Sequence, residues 1–109
     1  MELEIHTHNK DILFDLLGKS PISRDDSIIT PGNAKLTYKG TTIRLAEGLP
    51  KIINLVVTFG SGVAAGVVSN WIYDKLKHKT EKIVINRKEI HLDEGELKRV
   101  LEETIRIER

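Results

Sequence analysis

An α+β fold is predicted by three observations. Short alternating apolar runs occur at both ends of the chain, a long uncharged run lies between them, and an amphipathic helical pattern closes the sequence. The architecture expected is a set of small β-hairpins packed with one long glycine-containing central helix and a C-terminal amphipathic helix. A chain of 109 residues suits a single domain over 1–109. It reads as three parts: a mixed strand and turn region (1–47), a central apolar helix (49–79), and a hairpin plus helix (82–109).

The first residues alternate. Leu3 and Ile5 fall on one face, with Glu2, Glu4 and His6 on the other, which is a strand pattern. Asn9 is placed to cap a short helix, KDILFDLLG. Its apolar side is Ile12, Leu13, Leu16 and Leu17, and Gly18 is its stop. The polar segment around Pro21 reads as a loop. A short strand over 27–30 then meets Pro31-Gly32-Asn33, a strong turn signal. The run AKLTYKGTTIRLAEG reads as a hairpin turning at Lys39-Gly40, with Leu36 and Tyr38 before the turn and Ile43 and Leu45 after it.

Residues 52–73, IINLVVTFGSGVAAGVVSNWIY, carry no charge. Pro50 suits a helix's first turn, and Lys75, Lys77 and Lys79 suit its last turns by the sign of the helix dipole. Glycines inside a helix cost roughly 1 kcal/mol each, so Gly60, Gly62 and Gly66 require a return from close packing. A break near Phe59-Gly60-Ser61-Gly62 is the alternative. In the helical reading Phe59, Val63, Val67 and Trp71 form a bulky row. Gly62 and Gly66 make a GxxxG pair, which Ser61, Ala65 and Ser69 widen into a small-residue face. The interface residues expected are therefore Phe59, Ser61, Gly62, Ala65, Gly66, Ser69 and Trp71.

The last part is a hairpin, KIVIN and EIHLD around Arg87-Lys88, followed by a helix. Asp93 and Glu96 resemble a capping box. Leu97, Val100, Leu101, Thr104 and Ile105 make one stripe at helical spacing, and Glu94/Lys98 and Glu102/Arg106 are favourable pairs four apart.

Net charge is +1, which gives no basic face for nucleic acid. There is no cysteine, hence no disulfide framework and no thiolate chemistry. The acidic start MELEIHTHNKDILFD lacks the pattern of a secretory leader, and the expected location is cytoplasmic, with membrane association as the alternative. No nucleophile–base pair, metal cluster or cofactor motif is found, and no catalytic or metal-binding residue is assigned. The glycine spacing misses the dinucleotide fingerprint, and no Walker lysine follows. His6 and His8, two apart on a strand, would point the same way and could share a metal, but surface histidines are the reading preferred. The polar group Ser20, Ser23, Asp25 and Asp26 reads as loop chemistry, and Glu94 and Glu96 as helix-start charges.

The uncharged helix, its exit NWIYDKLKHK, the strand pair KIVINRKEIHLD and the charged terminal helix resemble the effector-associated constant components of bacterial conflict and defence systems. The resemblance covers roughly residues 60–100. It implies a non-enzymatic adaptor module and transfers no catalytic residue.

The function expected is thus binding or assembly: a homo-oligomer formed through the small face of the central helix, with a protein partner in a bacterial or phage conflict system. One alternative is a single-pass or pore-forming membrane protein spanning the bilayer through 52–73, for which roughly 20 apolar residues suffice. The other is an oligomer that sequesters a nucleotide-like ligand through Arg24, Tyr38 and Arg44.

Overall fold

The computed structural model describes residues 1–44 and 46–108. The element order is β1 (Glu2–Thr7), α1 (Ile12–Leu17), β2 (Ser27–Ile29), β3 (Ala34–Thr42), β4 (Lys51–Phe59), α2 (Ala65–Leu76), β5 (Lys82–Ile85), β6 (Lys88–Ile90) and α3 (Glu94–Glu108). All six strands join one antiparallel sheet in the order β2-β3-β4-β1-β5-β6. The α+β class is therefore as predicted.

The single long central helix is not what the uncharged run forms. Lys51–Phe59 is a strand, and only Ala65–Leu76 is helical. The physical reason lies in KIINLVVTF. Its β-branched residues suit a pleated surface, and Ile53, Leu55 and Val57 are buried at a period of two. The chain breaks at Gly60-Ser61-Gly62, where Gly62 takes the left-handed region (φ +77°). Charge is absent because β4 lies inside the sheet, between β3 and β1, and α2 lies on the core. Pro50 consequently precedes a strand, and of the three lysines only Lys75 lies in the last turn of α2.

The hairpin expected at Lys39-Gly40 is also replaced. Ala34–Thr42 is one strand that pairs with β4 throughout, with an irregularity between Tyr38 and Gly40. Gly40 has φ +117°, and the extra residue Lys39 forms a bulge rather than a reversal. The part of this segment at Leu45 lies outside the described residues.

Some flanking elements follow their local signals, but Asn9 does not cap α1 and the turn between β5 and β6 falls one residue before Arg87-Lys88. Gly18, at φ +69°, ends α1 with its N–H donating to the Phe14 carbonyl at 2.7 Å. Asn9 accepts the Asp11 N–H at 2.9 Å, just ahead of the helix, while Asp11 holds the N-cap position. Asn86 and Arg87, both at positive φ, make the two-residue turn between β5 and β6. Asp93 Oδ2 accepts the Glu96 N–H at 3.0 Å and caps α3. Along α3 the nearest ion pair four residues apart is Lys98–Glu102 at 3.9 Å.

One face of the sheet carries the core. Leu3 faces Leu55 and Ile85, Ile5 faces Ile53 and Ile83, and Leu36 faces Val57. Against them pack Ile12, Leu16 and Leu17 of α1, Val68, Ile72 and Leu76 of α2, and Leu97 and Leu101 of α3. These form one cluster, with α2 packed on both α1 and α3, so all three helices cover the same face. Among the described residues, the opposite face of the sheet has no helix of its own.

Candidate functional site

Because side chains alternate along a strand, the register that assigns the core also assigns the helix-free face. Its rows run across the sheet. One holds Ile29, Lys35 and Thr58. The next holds Ser27, Thr37, Val56 and Glu2. Then come Gly40, Asn54, Glu4, Val84 and Glu89, and finally Thr42, Ile52, His6 and Lys82. The side chains are mostly β-branched or small. Ile29 is 65% exposed, and Ile52, Val56 and Val84 are half-buried.

Charge is sorted by strand. β4 contributes Ile52, Asn54, Val56 and Thr58, none of them ionisable. On one side β1 brings Glu2 and Glu4, and on the other β3 brings Lys35 and Lys39. Lys39 sits in the bulge and lines a depression of about 230 Å³ with Glu2, Glu4, Asn54 and Val56. Its Nζ also reaches Asp25 at 2.6 Å, an exposed pair of small energetic weight. At the β5–β6 edge Lys82 and Glu89 pair at 3.5 Å.

His6 is the exception on this face, since it is only 5% exposed. Its Nδ1 lies 2.7 Å from Arg44 Nη2, and a guanidinium can only donate, so Nδ1 accepts. The remaining proton of the neutral ring is then on Nε2, which is buried without a hydrogen-bond partner among the described residues. Glu4 Oε1 stands 3.9 Å away. Burial holds the His6 pKa below its ordinary 6.5, helped by Lys82 and Arg44 and opposed by Glu4 and Glu89.

His8 lies just past the end of β1, and its ring is bonded to partners other than those of His6. The exposed ring of His8 places Nδ1 2.7 Å from Glu81 Oε1 and Nε2 3.2 Å from the Gly48 carbonyl oxygen. The hydrogen bond to Glu81 raises its pKa above 6.5. No group of three or more His, Asp or Glu among the described residues is arranged to hold a metal ion.

The residues expected to make a helical interface are dispersed. Phe59 ends β4, and Ser61 and Gly62 lie in the connection, so Gly62 and Gly66 share no helix face. Ala65 begins α2 half-buried, and Ser69 is buried in the core with its hydroxyl donating to the Gly66 carbonyl at 3.1 Å. Gly66 turns toward α3, where a Cβ would stand 3.6 Å from Lys98 Cε. Trp71 is half-buried, with Lys75 Nζ 5.8 Å from its ring centre.

The expected ligand residues are engaged separately. The guanidinium of Arg24 lies over Gly40, Tyr38 bonds through its hydroxyl to Thr41, and Arg44 holds His6. The polar loop is structural. Asp26 accepts the Ser23 N–H at 2.8 Å, which with Lys19 holds its carboxyl below the ordinary value. A larger groove of about 430 Å³ separates β6 from α3, but its charges, Lys88, Glu89, Arg99 and Glu103 among them, are mixed.

The alternation of Glu2, Glu4 and His6 was visible in the sequence. The matching basic strand was not, because its place two strands away depends on pairings that only the folded sheet makes. Comparison with protein-family models, curated proteins and solved structures gives no significant match.

Proposed function

We propose that this protein is a non-enzymatic assembly module that self-associates through the helix-free face of its sheet. The observation that supports this is the sorting of charge on that face: an uncharged β4 between acidic β1 and basic β3. A half-turn about an axis along β4 preserves strand direction and exchanges left with right. It lays β3 of one copy over β1 of the other and keeps each row over itself, so that Lys39 meets Glu4 and Lys35 stands one row beyond Glu2, each of them twice. Such a contact is isologous and closes as a dimer. Ile52 and Val56 would lie on the axis between two sheets packed about 10 Å apart.

The size of the face sets the strength. Strands of these lengths present on the order of 500 Å² of planar surface per copy. That is toward the small end of specific interfaces, so a weak dimer is expected. The resemblance to effector-associated constant components supports a non-catalytic adaptor in a bacterial conflict system, located in the cytoplasm. The separate engagement of Arg24, Tyr38 and Arg44 favours assembly over nucleotide sequestration. No helix among the described residues is long and apolar enough to cross a membrane, and 52–73 is divided between strand and helix.

Val56→Asp tests the proposal. The side chain lies outside the core, beside Glu2, so the fold should tolerate the change while the contact should not. Light scattering should show the mass of the unaltered protein rising toward two chains with concentration, and that of the variant staying at one. Equal masses at every concentration would overturn the reading.

A further inference from the structure

The segment joining β3 to β4 is held at two points by two histidines with opposite requirements. At one end Arg44, just beyond β3, donates to His6 Nδ1 at 2.7 Å. That bond exists only while Nδ1 is unprotonated, since an imidazolium and a guanidinium would bring donor against donor. At the other end the Gly48 carbonyl accepts from His8 Nε2 at 3.2 Å while Glu81 accepts from His8 Nδ1 at 2.7 Å. Both of those partners are acceptors, so His8 satisfies both only when both ring nitrogens carry protons. We infer that His6 and His8 form a two-ended proton-gated latch on the β3–β4 connection, closed when His6 is neutral and His8 is protonated.

The surroundings agree with this division. His6 faces Glu4 on its own strand, Lys82 on β5, Glu89 on β6 and Arg44 on the connection, and burial with the two cations favours its neutral form. His8 faces Glu81 and the Gly48 carbonyl, which favour its charged form. The lowered group supports the closed state above pH 6.5 and withdraws support as pH falls through its folded value. The raised group supports it below pH 6.5 and withdraws support as pH rises through its folded value. Both conditions hold only in a window that brackets 6.5.

The latch acts on the helix-free face. Arg44 bonds His6 in the row of Ile52, His6 and Lys82, and the connection carries Ile43, 76% exposed, and Leu49, 45% exposed. Acid would release Arg44 and leave a second cation on the face. Alkali would release the Gly48 end alone. The inference does not depend on self-association.

Histidine ring NMR on the full chain, from pH 4.5 to 8.5, tests it together with amide exchange at both ends of the connection, Ile43 and Arg44 at one and Gly48 and Leu49 at the other, corrected for intrinsic rate. His6 should titrate below 6.5 and His8 above it. Protection of Ile43 and Arg44 should fall several-fold as the pH drops through the His6 midpoint, and that of Gly48 and Leu49 as it rises through the His8 midpoint, the scale of one hydrogen bond at each end. Arg44→Met should remove the acid-side change, and His8→Gln the alkaline-side change, each leaving the other limb in place. Protection that stays flat while both rings titrate, or midpoints in the reverse order, would overturn the latch. Repeating the titration at a dilution where the protein is monomeric separates this outcome from failure of the dimer.

Discussion

Gly32→Ala is expected to lower the free energy of unfolding by about 2–4 kcal/mol, the sum of a left-handed backbone penalty and an overpacked contact. Gly32 has φ +84° in the turn between β2 and β3. A Cβ there would stand 2.7 Å from Val68 Cγ2 and 2.9 Å from the Ala64 carbonyl oxygen. Neither neighbour can yield easily. Val68 is fully buried, and the Ala64 carbonyl already accepts the Val68 N–H in the first turn of α2. The turn and the helix are tied further by the Ala64 N–H, which donates to the Gly32 carbonyl at 2.8 Å. Urea unfolding should show a lower midpoint with an unchanged slope. Gly62→Ala is the control. Its φ is +77°, yet no atom of the described residues beyond its chain neighbours lies within 4 Å of the added atom, so only the backbone cost of about 1 kcal/mol remains. Equal losses for the two variants would show that the turn does not press on α2.

Leu55→Ala should cost about 2–5 kcal/mol, the range for removing a buried leucine and leaving a cavity. Leu55 is 2% exposed on β4, with Leu3 of β1 and Tyr38 of β3 opposite it in the register. Its neighbours are fixed by strand pairing on both sides, so little collapse into the space is available. Domains of this size have about 5–15 kcal/mol in total, so the midpoint of urea unfolding should fall by a large fraction. A change below about 1 kcal/mol would mean that β4 is not at the centre of the core. Val56, one residue away, points to the other face, so Val56→Asp should lower the midpoint much less than Leu55→Ala, by the strand preference of aspartate and its repulsion from Glu2.

What the sequence disclosed follows how local each signal is. Gly18 and the Asp93 cap act within a few residues, and each does what its residue type suggests, whereas the turn between β5 and β6 falls at Asn86-Arg87, one residue before the expected Arg87-Lys88. The alternation of Leu3 and Ile5 placed β1 correctly. Residues 52–73 misled because two causes of missing charge look alike: β4 is buried in the sheet's interior, and α2 presses Val68, Ile72 and Leu76 on the core. The deciding signal was present in the period-two spacing of Ile53, Leu55 and Val57, ahead of Gly60-Ser61-Gly62. Gly40 likewise served a bulge instead of a hairpin, a difference set by the partner strand and not by the glycine. The candidate face was only half legible. Glu2 and Glu4 announced an outer surface, whereas Lys35 and Lys39 become its counterpart only through pairing with a strand some twenty residues on.

A mixing experiment tests the central claim most directly. One variant carries Lys35→Glu and Lys39→Glu, the other Glu2→Lys and Glu4→Lys, and sedimentation gives the mass of each alone and of the two together. Crossed pairing of β3 with β1 predicts single chains in each separate solution and a one-to-one dimer when they are combined. Dimers in either separate solution, or single chains in the mixture, would contradict it.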